Sequence, residues 1–526
     1  MRRLLLLFVI VVSGCAPAAD TGGAAARRIV YGLTLSVSGI DPHINQNTEL
    51  GIVLRSVYDT LVYRDPVTKA IVPGLASAWT ISDDGLVYTF NLRQDVMFHD
   101  GTFFNADAVA ANLQRIMNPE TGSQKARLLL GSLASYQIID QYTISLTLSA
   151  PYSPLLDGLA QVYTGIASPA ALGQYNLLRY QYHQVGTGPF QFVEYIPENR
   201  IVIRRNPNYA WGPAFYAPPG ANAVQEIEFR FYRDPATRAA ALESGEAQVM
   251  GELLPADARA LANNAAFRVL PVTVPGQPLQ FYLNTRLAPL DNLAVRQALL
   301  YATNRGAIVE SVYQGFSPVA WGPVASSALF YNPGVVNAYA YNIEQTRALL
   351  NAAGYADNDR DGILEREGLP LEIRVIQPAW GLVPEVTQLL QDQWRAAGIR
   401  AIIDPVPGFT ALLEKVTAGE YHLVSFDTSG IDPSFLNARF MSDGAVNWTG
   451  YASAPLDELL RAAAQLTDPA ARQPLYSQAQ SLIMQEALIL PIREYVNLNA
   501  HSARVQNLLF DPYGWFPLLH NVTLAE

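Results

Sequence analysis

Cysteine occurs once in the 526 residues, at position 15, and the apolar run before it at residues 4–12 has no membrane-spanning counterpart downstream. A lone thiol closes no internal disulfide, and it excludes cysteine-built zinc knuckles and iron–sulfur clusters within one chain. No later stretch reaches the eighteen apolar residues that read as a span. Half the residues are hydrophobic and only 15% are charged, which suits a packed core and not a disordered polyelectrolyte. At roughly 100–200 residues per domain, the length predicts more than one domain.

The N-terminus has the order of an export signal. Arg2 and Arg3 precede nine uncharged apolar residues, then the small Ser13 and Gly14. The run is too short to cross a bilayer and is of signal-peptide length. Val12-Ser13-Gly14-Cys15 resembles a bacterial lipobox, so residues 1–14 are expected to be removed and Cys15 to carry the lipid. Two or more acyl chains give stable anchoring, where one is marginal. Without residues 1–14 the chain keeps 33 Lys plus Arg against 46 Asp plus Glu, a net −13. That charge argues against a general nucleic-acid binder. Residues 16–28 are small and polar and read, with Cys15, as a flexible tether.

Beyond the tether the patterning is mixed α/β. Leu86, Tyr88, Phe90 and Leu92 alternate with polar or smaller residues; so do Tyr142, Ile144, Leu146 and Leu148, and Ile227, Phe229 and Phe231. Each set predicts a strand with one buried face. Asn342 with Gln345 forms a capping-box start, and Gly354 is a natural stop. A second helix starts near Pro384, with Val386, Leu389, Leu390, Trp394 and Ala397 as its stripe and Gly398 as its end. Residues 399–403 then read as a strand, and helix–strand alternation after residue 280 indicates α/β organisation.

Catalytic signatures are missing. There is no phosphate loop and no nucleophile elbow. Gly186-Thr187-Gly188-Pro189 lacks the third glycine of a dinucleotide fingerprint. The six histidines are not spaced to share a helix face as zinc ligands. Asp357, Asp359 and Asp361 with Gly362 begin like an EF-hand loop, but Gly368 stands where a bidentate Glu is needed, so a solvated acidic turn is expected. No catalytic residue, cofactor or metal is expected.

Several strings then match one family in order and spacing. They include Asp41-Pro42-His43, Tyr58-Asp59-Thr60, Tyr88-Thr89-Phe90-Asn91-Leu92-Arg93 and Phe98-His99-Asp100-Gly101. Gly186-Thr187-Gly188-Pro189-Phe190, Asn206-Pro207-Asn208-Tyr209, Val295-Arg296-Gln297-Ala298 and Asp432-Pro433 follow. Over residues 31–526 the chain resembles the extracytoplasmic solute-binding proteins of family 5, the peptide, nickel and related binders of ABC importers. The resemblance implies a two-lobed, class II periplasmic-binding-protein clamshell. Lobe I would comprise residues 29–61, 186–270 and 490–526, with a subdomain inserted at 62–185. Lobe II would be residues 271–489, and the crossing strands would act as hinges. The most recognisable residues among them, Tyr88 to Arg93, Asp100-Gly101 and Arg296, are expected to determine the fold and not to touch ligand.

The same resemblance implies a monomer that captures a solute, an oligopeptide first of all, and delivers it to permease subunits outside the cell membrane. An oligosaccharide or other non-peptide solute is the alternative, and an anchored hydrolase or a sensor partner a lesser one. Candidate ligand-binding residues are Asn45, Asn47 and Thr48 on lobe I, and Trp380, Asp427, Ser429 and Asp432 on lobe II. Peptide binders of the family hold the ammonium with an Asp at the position of Ser429, and dipeptide binders hold the carboxylate with an Arg near Gln377. Neither is present, so zwitterionic dipeptides are not the expected ligand. An unpaired charge in a closed cleft is costly to desolvate.

Overall fold

A computed structural model describes residues 27–35, 39–45 and 47–525. Cys15, the apolar run and nearly all of the tether lie outside the described residues. Among the described residues no helix is long and apolar enough to cross a membrane.

Two sheets organise the chain. The first has seven strands in the order Phe267–Thr273, Val496–Ser502, Val249–Met250, Arg28–Leu33, Glu226–Phe231, Arg200–Arg205 and Phe190–Ile196. Its centre is parallel: Arg28–Leu33 runs alongside both Glu226–Phe231 and Val249–Met250. The second has five strands in the order Arg400–Val406, Glu372–Pro378, Leu423–Ser429, Gly276–Leu283 and Ile489–Arg493. Here Glu372–Pro378 is parallel to Arg400–Val406 and Leu423–Ser429. A four-stranded antiparallel sheet spanning residues 76–148 packs into the same hydrophobic core as the first sheet, as does the C-terminal tail through Tyr513, Phe516 and Leu519. Residues from Leu279 to Ile492 form a separate core around the second sheet. The fold is a two-lobed α/β clamshell.

Local rules account for most elements. Tyr88, Phe90 and Leu92 are buried on one face of Val87–Leu92, and Ile144, Leu146 and Leu148 on Thr143–Leu148. The Asn342 side chain caps Ile343–Ala352 by accepting from the Gln345 N–H at 3.0 Å. Val383–Ala396 buries Val386, Leu390 and Trp394, and Gly398 follows it at φ +81°. The strand Glu226–Phe231 departs from simple alternation. Glu228 is buried on the polar side of a central strand, where Arg28 and Arg230 pair with it.

The most recognisable strings hold the core together. Asp59 accepts hydrogen bonds from Thr187 Oγ1 at 2.9 Å, Tyr209 OH at 2.9 Å, Trp211 Nε1 at 3.0 Å and Tyr63 OH. Three matching strings thus meet at one buried carboxylate. Arg296 donates to the carbonyls of Leu290 at 2.8 Å and Glu486 at 2.9 Å, latching its helix to the end of Pro469–Gln485.

The chain passes between the sheets twice. Phe267–Thr273 of the first sheet leads to Gly276–Leu283 of the second, and Ile489–Arg493 leads back to Val496–Ser502. The passages are tied by the Val274 N–H donating to the Tyr495 carbonyl at 2.9 Å. Gly276, at φ +140°, lies so close to the strand Leu423–Ser429 that a Cβ would stand 2.2 Å from the Thr428 carbonyl oxygen. Only glycine permits that approach.

Candidate functional site

Parallel strands expose their carboxyl ends at one edge of a sheet, and ligands bind outside those ends. Both sheets aim such ends at one cleft. In the first, Thr34 and Leu35 follow Arg28–Leu33, and Glu252 follows the adjacent strand Val249–Met250. In the second, Trp380 follows Glu372–Pro378, and Ser429 ends Leu423–Ser429. Between them lies a cavity of about 610 Å³ whose floor includes the crossing residues Val274, Pro275, Tyr495 and Val496. A recess of about 450 Å³ adjoins it on the first-sheet side and shares Leu35, Glu252 and Trp515 with it. The size lies within the range of small-molecule sites.

Three expected residues, Trp380, Asp427 and Ser429, line the main cavity. Asn45, Asn47 and Thr48 line the recess. Two of these shape the loop. Asn45 Nδ2 donates to the Gly39 carbonyl at 2.8 Å, and Asn47 caps Thr48–Leu54 by accepting from the Glu49 N–H at 2.8 Å.

Asp432 requires a correction. It lines neither space. Its two carboxylate oxygens are taken by Arg472 at 2.7 and 3.0 Å, and both side chains are buried. Its oxygens also accept from the Ser434 N–H at 3.0 Å. The family resemblance placed it near the cleft, but the guanidinium behind it turns it into the core.

Arg493 is the main residue the sequence did not disclose. It ends the buried strand Ile489–Arg493, and its guanidinium lies 4.4 Å from the ring centroids of both Tyr313 and Tyr495. Its buried Nε has no hydrogen-bond partner, and among the described residues no carboxylate lies within ion-pair distance. Asp427 lines the same cavity, and the Arg493 charge acts on it. Burial raises the Asp427 pKa, while Arg493 and Arg439 oppose that rise. Gln277 Oε1 and Ser425 Oγ, both buried and lining the cavity, also lack partners. Buried polar atoms are ordinarily satisfied, so a cluster of exceptions on one wall calls for an explanation.

The recess is acidic. Thr34 Oγ1 contacts both Glu49 Oε1 and, at 2.5 Å, Glu252 Oε2. Glu49 is 6% exposed, and burial, aided by Glu252, pushes its pKa up to about 7 against the hydrogen bonds from Thr34 and the charge of Arg238. Glu252 holds its carboxylate there from a left-handed backbone at φ +47°. For a non-glycine residue that geometry is strained and clusters at functional sites.

None of the six histidines lines either space, so the cleft holds no nucleophile–imidazole pair. On the surface, the Asp357, Asp359 and Asp361 carboxylates come within 4.8 Å of one another and are exposed. Arg400 pairs with Asp361 at 3.4 Å, and Glu365 accepts from the Asn358 N–H at 3.2 Å.

The chain is similar over nearly its whole length to known binding proteins. It is 29% identical over 511 residues to the glutathione-binding protein GsiB of Salmonella typhi, covering 93% of both chains. Its structure matches NikA from Brucella suis, in complex with Fe(III)-EDTA, at TM-score 0.83 and 24% identity, covering 95% of this chain and 100% of that one. It matches the periplasmic binding protein DppA from Helicobacter pylori, in complex with the peptide STSA, at TM-score 0.72 and 25% identity, covering 95% and 98%. Residues 70–449 match the family model described as bacterial extracellular solute-binding proteins, family 5 Middle. A cleft built from two lobes, with polar groups left unpaired on its walls and no catalytic pair, is what a binder needs, and the chain belongs to the bacterial extracellular solute-binding proteins of family 5.

Proposed function

We propose that this solute-binding protein captures a short peptide between its lobes for delivery to an ABC importer. The observation that carries the reading is Arg493, a guanidinium clamped between two rings with its buried Nε unpartnered and, among the described residues, no carboxylate at ion-pair distance, in a cavity that adjoins an acidic recess. A peptide supplies a carboxylate, an ammonium and amides together. A neutral oligosaccharide would leave those charges desolvated and unpaired. The similarity to GsiB, a glutathione-binding protein, and to DppA in complex with the peptide STSA supports the same class.

Lobe I is assigned residues 28–273 and 496–525, including the subdomain at 62–185, and lobe II residues 276–493. The divisions fall at the passages 274–275 and 494–495, a few residues beyond those expected from sequence. Closure would rotate the lobes about these paired passages, driven by the higher affinity of the closed state for ligand.

The test is calorimetric titration of the delipidated protein with glutathione and with peptides of three to five residues, against oligosaccharides and nickel–histidine. Peptide binding in the micromolar range, about −8 kcal/mol, is expected. Binding confined to a sugar or metal chelate would overturn the reading.

The protein acts as a monomer, anchored through Cys15. A Cys15→Ala version is expected to leave the membrane fraction for the soluble one; unchanged membrane association would contradict the anchor.

A further inference from the structure

The contact of Thr34 with two carboxylates has a consequence for protons. A hydroxyl has one hydrogen to donate, and an ionised carboxylate only accepts. Thr34 Oγ1 touches both Glu49 Oε1 and Glu252 Oε2, so its single hydrogen satisfies one of them. The other contact needs a second hydrogen, carried by a carboxyl group. The Thr34 N–H, at 3.1 Å from Glu49 Oε1, adds a donor on the Glu49 side only. The remaining oxygen, Glu49 Oε2, is buried, lines the recess and has no partner.

Among the described residues no guanidinium donates a hydrogen bond to either carboxyl. Arg238 is the guanidinium nearest the pair, but its three donor nitrogens go to the carbonyls of Tyr232, Glu252 and Arg233. The other titratable groups facing the pair are Tyr31 from the first strand, Tyr163 from the inserted subdomain and Tyr495 from the crossing segment. Burial raises all three phenol pKa values, so they stay neutral. Asp427, also on the cavity lining, has Arg493 and Arg439 opposing its burial. The carboxyls that lack a donating cation are therefore on lobe I, at Glu49 and Glu252.

We infer that the Glu49–Thr34–Glu252 group receives a primary ammonium of the solute, and that the ammonium's arrival displaces the proton the two carboxyls share. The inference rests on the peptide reading for the identity of the solute, not for the site itself. An ammonium brings three donors, enough for Glu49 Oε2 and Glu252 together with one loop oxygen. It also favours the ionised form of Glu49, so the bound state holds fewer protons than the free state. Affinity then rises with pH as the free-state group ionises, until the solute's own ammonium begins to lose its proton. In the free protein the sign is the reverse. A carboxyl whose folded pKa is raised adds stability below that pKa, and the advantage is lost as pH climbs from its unfolded value near 4.5 to about 7.

The source of the ammonium is either the peptide N-terminus or a lysine side chain, and the experiment separates them. The best peptide is titrated calorimetrically at pH 7 in buffers of different ionisation enthalpy, alongside its N-acetylated and lysine-free versions. Release of about half a proton is expected for the parent, given the Glu49 pKa of about 7. Affinity at pH 8 should exceed that at pH 6 by roughly tenfold for a lysine ammonium and roughly fourfold for an N-terminal one, which is itself losing its proton at pH 8. Loss of both effects on N-acetylation assigns the N-terminus; loss only on removing lysine assigns the side chain. Glu49→Gln should abolish proton release and flatten the fall in thermal stability of the free protein between pH 5 and 8. Glu252→Gln, which does not disturb the buried position, checks that loss of affinity is not misfolding.

If peptides bind with unchanged proton release in both variants, or bind equally well when acetylated and free of lysine, the ammonium site is wrong while the peptide reading stands. If no peptide binds, the peptide reading fails, and butylamine and cadaverine against butanol probe the recess directly. Stabilisation by the amines that Glu49→Gln removes supports the site, and indifference to them overturns it.

Discussion

Replacing Arg493 with glutamine is expected to weaken peptide binding by about 2–4 kcal/mol, or roughly 30- to 1,000-fold in Kd. The size follows from how the guanidinium is held. Arg493 sits between Tyr313 and Tyr495 at 4.4 Å from each centroid, so little side-chain freedom is left to lose when a carboxylate arrives. Its Nε is shielded from water and unpartnered, and its Nη1 makes only a 3.4 Å contact to the Glu494 carbonyl. A charge-assisted bond made there replaces no strong existing one. The substitution also removes two cation–π contacts, which lowers stability by about 1–2 kcal/mol without opening either core. The control is a C-terminally amidated peptide. It should lose most of its affinity for the unaltered protein and little more for the variant, because the lost carboxylate and the lost guanidinium are one interaction. Equal further losses for the acid and the amide would show that Arg493 shapes the cavity without holding the carboxylate.

Much of the fold was legible because its signals are local. Tyr88, Phe90 and Leu92 betray a strand through period two, and Asn342 and Gly398 mark helix ends through hydrogen bonds that the sequence itself specifies. The passages between lobes were less so. Nothing local distinguishes Thr273 from Val274; the change of sheet is fixed by the pairing of Val274 with Tyr495, more than two hundred residues away. The site divides in the same manner. Trp380, Asp427 and Ser429 were reached through family strings whose order fixes where the strand ends fall. Arg493 was missed because an arginine closing an apolar run reads as the end of a strand. Glu49 was missed because an acid in the first turn of a helix reads as a partner of its dipole. Its meeting with Thr34 and Glu252 joins three segments that no spacing rule connects.

Asp432 tests the difference between a residue near the cleft and a residue in it. Asp432→Ala is expected to cost about 3–5 kcal/mol of stability, because it leaves the Arg472 guanidinium buried without a counter-charge. The rest of the arginine's environment holds it in place. Its Nε donates to the Ala463 carbonyl at 2.8 Å, and its guanidinium lies 4.7 Å from the Phe330 centroid and 5.3 Å from that of Tyr476. It therefore cannot swing to solvent to recover hydration. Peptide affinity, measured well below the lowered melting temperature, should stay within about threefold of the unaltered protein, since a change of that size is under 1 kcal/mol. A large loss of affinity with an unchanged melting temperature would return Asp432 to the ligand site. The double substitution Asp432→Ala with Arg472→Met separates charge from packing. If the penalty is the uncompensated guanidinium, removing it recovers most of the stability, and the apolar side chain keeps the stacking on Phe330 and Tyr476.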